Sequence, residues 1–214
     1  MSSNKDKNNN KNNDSEYEDD SIKVILVGES GGGKTSLINS IQGNQFTEGG
    51  QISTMSCSFI KLTRKILNEE YSINLWDTIG QERFRSLTKI FMNNSKIVIF
   101  VFDITSKESF DELNYWFDTI QNELGDEPIK ALAANKQDLF EEQAVDDETI
   151  QELADKKGLP FSYTSAMNPI DFNNFLDKLL EKYIKEKGTE IKKMEAKEKS
   201  MLLIWNFCIK YFEF

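Results

Sequence analysis

The stretch Gly28 to Thr35 reads GESGGGKT and matches the pattern G-x-x-x-x-G-K-[ST]. An apolar, β-branched run, Ile22 to Val27, precedes it, and a helix-like stretch, Lys34 to Gln42, follows. Strand, turn and helix start therefore succeed one another. The glycines Gly28, Gly31, Gly32 and Gly33 let successive main-chain N–H groups curl around an anion, and the following helix adds the positive end of its dipole. The spacing predicts a phosphate cradle in which Lys34 meets the outer phosphates and the Thr35 hydroxyl ligates Mg²⁺. A ligand-free glycine-rich turn is the plainer alternative, and the flanking strand and helix count against it.

Outward from this loop, short β-branched runs alternate with longer helix-like stretches, the pattern of a parallel sheet covered by helices on both faces. Expected strands are Ile22 to Val27, Ser58 to Ile66, Tyr71 to Trp76, Lys96 to Asp103, Ile129 to Ala134 and Phe161 to Thr164. Lys96 to Phe102 (KIVIFVF) is almost wholly apolar, as a strand buried on both sides must be. Expected helices are Lys34 to Gln42, Lys107 to Leu124, Asp147 to Lys157 and Pro169 to Lys187, with Ser106 as an N-cap and Gly125 as a closing residue.

Further polar stations lie at strand ends, the edge where open parallel sheets place their ligand crevice. In Leu75 to Phe84 (LWDTIGQERF), Asp77 can hold Mg²⁺, the Gly80 N–H can reach a γ-phosphate, and Gln81 can orient an attacking water. In Asn135 to Asp138 (NKQD), the Asp138 carboxylate can accept two donors from guanine, its ring N–H and its exocyclic amine. Adenine lacks that pair and would leave the carboxylate unsatisfied. Ser165 and Ala166 follow the sixth strand, where a backbone N–H can meet the guanine carbonyl. Each short motif alone is weak, since Asp, Asn and Gly are common in turns. They gain force from their order and their shared place after strands.

Composition narrows the chemistry. The 214 residues suit one ordinary domain with tails. Lys and Arg total 26 against 36 Asp and Glu, a net charge of −10, which argues against coating a nucleic-acid backbone. Histidine is absent, so His bases and His metal sites are excluded. Cys57 and Cys208 lie far apart without a C-x-x-C spacing, which fits a reducing, cytoplasmic setting.

These residues resemble the Ras superfamily of small GTPases, and its Rab branch in particular, over about Ile22 to Tyr183. WDTIGQERFRSLT is similar to the Rab switch II segment, ISTMSCSF to switch I, and FDITSKESF and the helix holding Trp116 are also Rab-like. The resemblance implies an α/β fold: the three-layer P-loop NTPase domain, with a six-stranded, mostly parallel sheet, one strand antiparallel, and helices on both faces. It implies GTP/GDP and Mg²⁺ as ligands, with Thr54 joining Thr35 and Asp77 at the metal. Catalytic roles would fall to Gln81, Lys34 and Thr54. Nucleotide contacts would come from Glu29, Ser30, Gly31, Gly32, Gly33, Lys34, Thr35, Ser36, Phe46, Thr54, Gly80, Asn135, Lys136, Asp138, Ser165, Ala166 and Met167. Phe59, Trp76 and Phe91 match the aromatic triad that Rab effectors read, with simple sheet and helix packing as the alternative.

The resemblance further implies slow GTP hydrolysis that an activating protein accelerates, exchange factors and effectors as partners, and vesicle trafficking on intracellular membranes. A scaffold that holds GTP or GDP without useful turnover is the alternative; a P-loop kinase using ATP is opposed by Asp138. Four departures stand out: Gly49-Gly50 in a switch I loop one residue longer than usual, Ser56 and Ser58 after Thr54, Ile79 before Gly80, and Met167 where the family carries Lys.

Residues 1–20 hold six Asn, three Lys and six Asp or Glu, and are expected to form a disordered polar arm before a nucleotide-binding domain at 21–187. Ser2 follows Met1, and no apolar leader core is present, so neither myristoylation nor secretion is indicated. Residues 188–214 form a charged spacer and an apolar tail, MLLIWNFCIKYFEF from Met201 to Phe214. That tail is shorter than the roughly 17 to 25 residues of a spanning helix. Cys208, six residues from the end, forms no prenylation box. Three readings of the tail stay open: an interfacial membrane anchor, an end packed on the domain, or a misassigned gene end.

Overall fold

A computed structural model describes residues 21–43, 58–78 and 91–189. In chain order the elements are β1 (Ile22–Val27), α1 (Lys34–Ile41), β2 (Ser58–Ile66), β3 (Glu69–Asp77), β4 (Ile97–Asp103), α2 (Lys107–Asp111), α3 (Leu113–Leu124), β5 (Ile129–Asn135), a 3₁₀ turn (Gln137–Glu142), α4 (Asp147–Lys157), β6 (Phe161–Thr164) and α5 (169–189). The strands form one six-stranded sheet in the order β2-β3-β1-β4-β5-β6. Only β2 runs antiparallel, against β3; every other neighbouring pair is parallel.

Alternation along β1 divides the core into two layers. Val24 and Leu26 face α1 and α5, packing with Leu37, Ile38, Phe172 and Leu176. Ile25 and Val27 face the other helices, packing with Trp116, Ile120 and Ile150. Burying both faces of β4 explains why IVIFVFD is apolar almost throughout. At about 25 cal/mol per Å² of apolar surface, this central layer supplies much of the driving force for folding.

Local signals held at several ends. The Ser106 side chain accepts from the Ser109 N–H at 3.2 Å and caps α2. Gly125 closes α3, its N–H donating to the Gln121 carbonyl at 3.0 Å. Other expectations need correction. The single helix Lys107 to Leu124 is interrupted at Glu112, which lets Phe110 meet Phe102 edge-on at 5.2 Å while Phe117 meets Phe100 at 4.5 Å. β3 begins at Glu69, not Tyr71, because Leu67 and Asn68, both at positive φ, make a two-residue hairpin that pairs Ile66 with Glu69. The first helix ends at Ile41, β4 starts at Ile97, β5 extends to Asn135, and the last helix is described as far as 189.

Candidate functional site

The sheet order reverses at β1, which lies between β3 and β4, so a crevice opens at its carboxyl end. The glycine loop occupies that crevice. Gly28 has φ +148°, and a Cβ there would lie 2.0 Å from the Val101 carbonyl oxygen of β4, so no other residue fits. Gly33, at φ +89°, precedes α1; a Cβ there would lie 2.2 Å from Asn135 Nδ2. Within the loop, the Ser30 N–H donates to Glu29 Oε1 at 2.9 Å and the Gly32 N–H to the Glu29 carbonyl at 3.3 Å.

Lys34 folds back into its own loop. It is 5 % exposed, and its Nζ donates to the carbonyls of Gly28 at 2.8 Å and Glu29 at 3.0 Å. Burial lowers its ammonium to about 8, with the Asp77 and Glu29 carboxylates opposing that shift. Neutral carbonyls compensate a buried cation only in part, and an anion beside Nζ would complete the compensation. Thr35 Oγ1 donates to Asp77 Oδ2 at 2.6 Å, joining α1 to the end of β3. Ser36 is buried one residue further along.

These oxygens suit Mg²⁺ by chemistry. A hydroxyl and a carboxylate close enough to hydrogen-bond can share one small, hard ion. Among the described residues no group of three or more Asp, Glu, Cys or His could hold a metal by itself. Mg²⁺ takes one or two protein oxygens and completes its shell with water and substrate phosphates.

The second half of the site lies at the ends of β5 and β6. Asn135, 1 % exposed, donates from Nδ2 to the Gly32 carbonyl at 2.9 Å, and its Oδ1 accepts from Thr164 Oγ1 at 3.1 Å. One side chain thus fastens the phosphate loop to the last two strands. Lys136 takes the left-handed conformation, φ 65°, and its Nζ pairs with Asp103 Oδ2 at 2.5 Å. The Ser165 hydroxyl donates to Asp138 Oδ1 and accepts from the Met167 N–H at 3.0 Å. Ala166 is half-buried, and Met167 is 64 % exposed.

Lys34, Thr35, Asp77, Asn135, Lys136, Asp138 and Ser165 therefore gather along one edge. Phe46, Thr54, Gly80 and Gln81 lie outside the described residues. Elsewhere on the surface, Phe59 stacks on Trp76 at 4.6 Å and Trp76 meets Phe91 at 5.8 Å. Phe59 is 44 % exposed, so the triad is both packed and presented.

Several supports escaped the sequence reading. Asp103 holds Lys136 and also accepts from the Thr105 N–H at 2.9 Å. Thr78 Oγ1 donates to the Leu26 carbonyl at 2.5 Å, and Lys23 lies 4.6 Å from the Trp76 ring centroid. Asp103 ends β4 in register with Asn135 at the end of β5, a pairing that only the strand order reveals.

A profile of the Ras family matches residues 23–185. This chain belongs to the Ras family. Within it, the chain is similar to Ras-related protein Rab-26: 37% identical over 151 residues to the Bos taurus protein, covering 71% of this chain and 59% of that one. The Rattus norvegicus protein is 35% identical over 156 residues, covering 73% and 61%, and the Mus musculus protein 36% over 151, covering 71% and 58%. The chain thus spans about three fifths of the length of these relatives. This Ras-family chain is Rab-like, and its six-stranded sheet with one antiparallel strand is the architecture that the family resemblance implied.

Proposed function

We propose that this chain is a guanine-nucleotide switch that binds GTP and GDP and hydrolyses GTP to GDP. The observation that carries this reading is the Asn135 bond to Gly32, which joins the station suited to a base to the station suited to phosphates. In this reading the amides of Glu29, Ser30, Gly31, Gly32 and Gly33 face the phosphates, those of Ser30 and Gly32 exchanging their bonds to Glu29 for phosphate oxygens, Lys34 supplies the countercharge, and Ser36 supports the helix start. Thr35, Asp77 and Thr54 hold Mg²⁺, which when bound neutralises charge on the phosphate oxygens. Gln81 orients the attacking water and the Gly80 amide reaches the γ-phosphate. Asp138 accepts from guanine, Ser165 and the Ala166 and Met167 amides line the carbonyl side, Lys136 and Asn135 brace the pocket, and Phe46 flanks the ring.

Residues 21–187 are the nucleotide-binding domain in this proposal. The segments Phe46 to Thr54 and Thr78 to Leu87 change order with the nucleotide, and effectors read Phe59, Trp76 and Phe91. Turnover is slow until an activating protein supplies an arginine, and an exchange factor reloads GTP. Likeness to Rab proteins supports a role in vesicle trafficking at the surface of intracellular membranes. No described helix is long and apolar enough to cross a membrane.

Calorimetry on the full chain with Mg²⁺ tests base recognition. GTP and GDP should bind at least about a hundredfold tighter than ATP, because only guanine offers two further donors to the exposed Asp138 carboxylate, which the Ser165 hydroxyl already holds in place; equal affinities would overturn the proposal. Single-turnover hydrolysis tests catalysis: Gln81→Leu should slow the step, and an unchanged rate would leave a nucleotide-holding scaffold.

A further inference from the structure

At the edge of the sheet opposite the phosphate loop, where β5 begins, a cleft of about 420 Å³ opens between α3, the end of α4 and α5. That volume is in the range of specific ligand pockets, roughly 300 to 1,000 Å³. Phe117, 7 % exposed, lies at its floor, and on the α3 side Lys130 pairs with Asp126 at 3.6 Å. Asp118 and Glu127 lie on the α3 side, without a salt bridge to any described residue. Lys157, at the end of α4, stands over the Phe117 ring with Nζ 4.9 Å from its centroid and likewise has no carboxylate partner among the described residues. Lys182 and Glu186, 4.0 Å apart on α5, complete the wall.

The last described turns of α5 form this wall, so the chain that continues beyond residue 189 starts beside the cleft. An eleven-residue spacer, 190–200, follows, able to reach about 36 Å when extended. Then comes the apolar stretch MLLIWNFCIKYFEF, within which Lys210-Tyr211-Phe212-Glu213 sets a cation and an anion on either side of two aromatic rings. That order complements the cleft, where acids and a lysine flank an aromatic floor. A tether this short raises the local concentration of the segment to about the millimolar range, so modest contacts suffice.

We propose that residues 201–214 dock into this cleft of the same molecule, with an aromatic ring against Phe117, Lys210 toward Asp118 and Glu127, and Glu213 toward Lys157. A cleft of about 420 Å³ has room for the two rings between Lys210 and Glu213, so docking holds that end of the segment away from lipid.

Zero-length carbodiimide cross-linking of the dilute full chain, read by peptide mass spectrometry, tests this placement. Lys210 should couple within the molecule to Asp118 or Glu127. Glu213→Lys should lower that yield by about fivefold, the effect of one exposed ion pair, and adding Lys157→Glu should restore it. Such a rescue cannot follow from a folding defect. Glu213→Lys should also raise flotation with phosphatidylcholine vesicles, whose neutral headgroups do not reward the added positive charge. Lys210 links formed only between molecules, an intramolecular yield indifferent to Glu213→Lys, or flotation of the unaltered chain that Glu213→Lys leaves unchanged would each overturn the proposal, the last in favour of a lipid-bound tail.

Discussion

The contact between Asn135 and the phosphate loop makes a quantitative demand on Gly33. A Cβ at residue 33 would lie 2.2 Å from Asn135 Nδ2, and that nitrogen is fixed by its 2.9 Å bond to the Gly32 carbonyl. Gly33→Ala therefore carries two costs. Placing alanine at φ +89° costs about 1 kcal/mol. Driving the amide aside breaks its bond and orphans a buried carbonyl, together about 2 kcal/mol more. Asn135→Ala alone removes both bonds of that side chain, to Gly32 and from Thr164, and should cost about 3 kcal/mol. In the Asn135→Ala background the obstacle is gone, so Gly33→Ala should add only the conformational cost, about 1 kcal/mol. The coupling is then about 2 kcal/mol, which urea unfolding resolves as a midpoint difference near 1 M for a slope of about 2 kcal/mol/M. The four proteins should be compared without nucleotide, so that ligand linkage does not mask the difference. Costs that add to within about 0.5 kcal/mol would refute the idea that Asn135 is the group Gly33 must clear.

Leu67 sits at φ 51° in the β2–β3 hairpin and is half-exposed, so Leu67→Gly should raise stability by about 1 kcal/mol, seen as a higher urea midpoint; a lower midpoint would mean that its side chain contributes packing the turn geometry hides. Lys23 stands over the Trp76 ring and donates to the Asn93 carbonyl at 2.8 Å, just beyond Phe91. Lys23→Met keeps the stem and should cost about 1 kcal/mol while weakening the near-UV dichroism of the aromatic triad, and an unchanged spectrum would count against a bracing role. The Asp146 carboxylate caps α4 by accepting from the Thr149 N–H at 2.7 Å, and that bond holds its pKa below the usual carboxylate value. Its contribution is fully present above pH 4 or so and disappears as pH falls through the lowered folded value, since the unfolded chain then binds the proton more readily. Asp146→Asn should flatten that part of the acid-unfolding profile, and an identical profile would show that the cap does not titrate.

What the sequence made legible was whatever a contiguous run of residues encodes. GESGGGKT announces the turn through its glycines, and the structure supplies the reasons: at residue 28 the Val101 carbonyl approaches to 2.0 Å, and at residue 33 φ is +89° with the Asn135 side-chain amide 2.2 Å away. The buried strand β4 and the caps at Ser106 and Gly125 are equally local. The start of β3 was placed two residues late because Leu67-Asn68 carries none of the Asn-Gly or Asp-Gly chemistry that announces a two-residue turn; β-ladder pairing overrode a poor local preference. The break at Glu112 left no Gly or Pro to mark it, and the residue itself keeps right-handed helical angles, φ −67° and ψ −13°.

The braces of the site are of another kind. Asn135 to Gly32 spans 103 positions, Thr35 to Asp77 spans 42, and Lys136 to Asp103 spans 33, so no window of sequence contains both partners. Topology alone brings them together: parallel strands on either side of β1 end at one edge, and whatever polar residue follows each strand arrives there. Reading the last residues of β3, β4, β5 and β6, with Gly28 one past the end of β1, gives in sheet order Asp77, Gly28, Asp103, Asn135 and Thr164, and all five take part in the crevice, as loop, brace or candidate ligand. A sequence motif can therefore name the groups that would face a ligand, whereas the groups that hold them still become visible only once strand order is known. Asp103 and Thr164 belong to that second set, and their substitution should disturb the placement of Lys136 and Asn135 without removing any group proposed to touch the nucleotide.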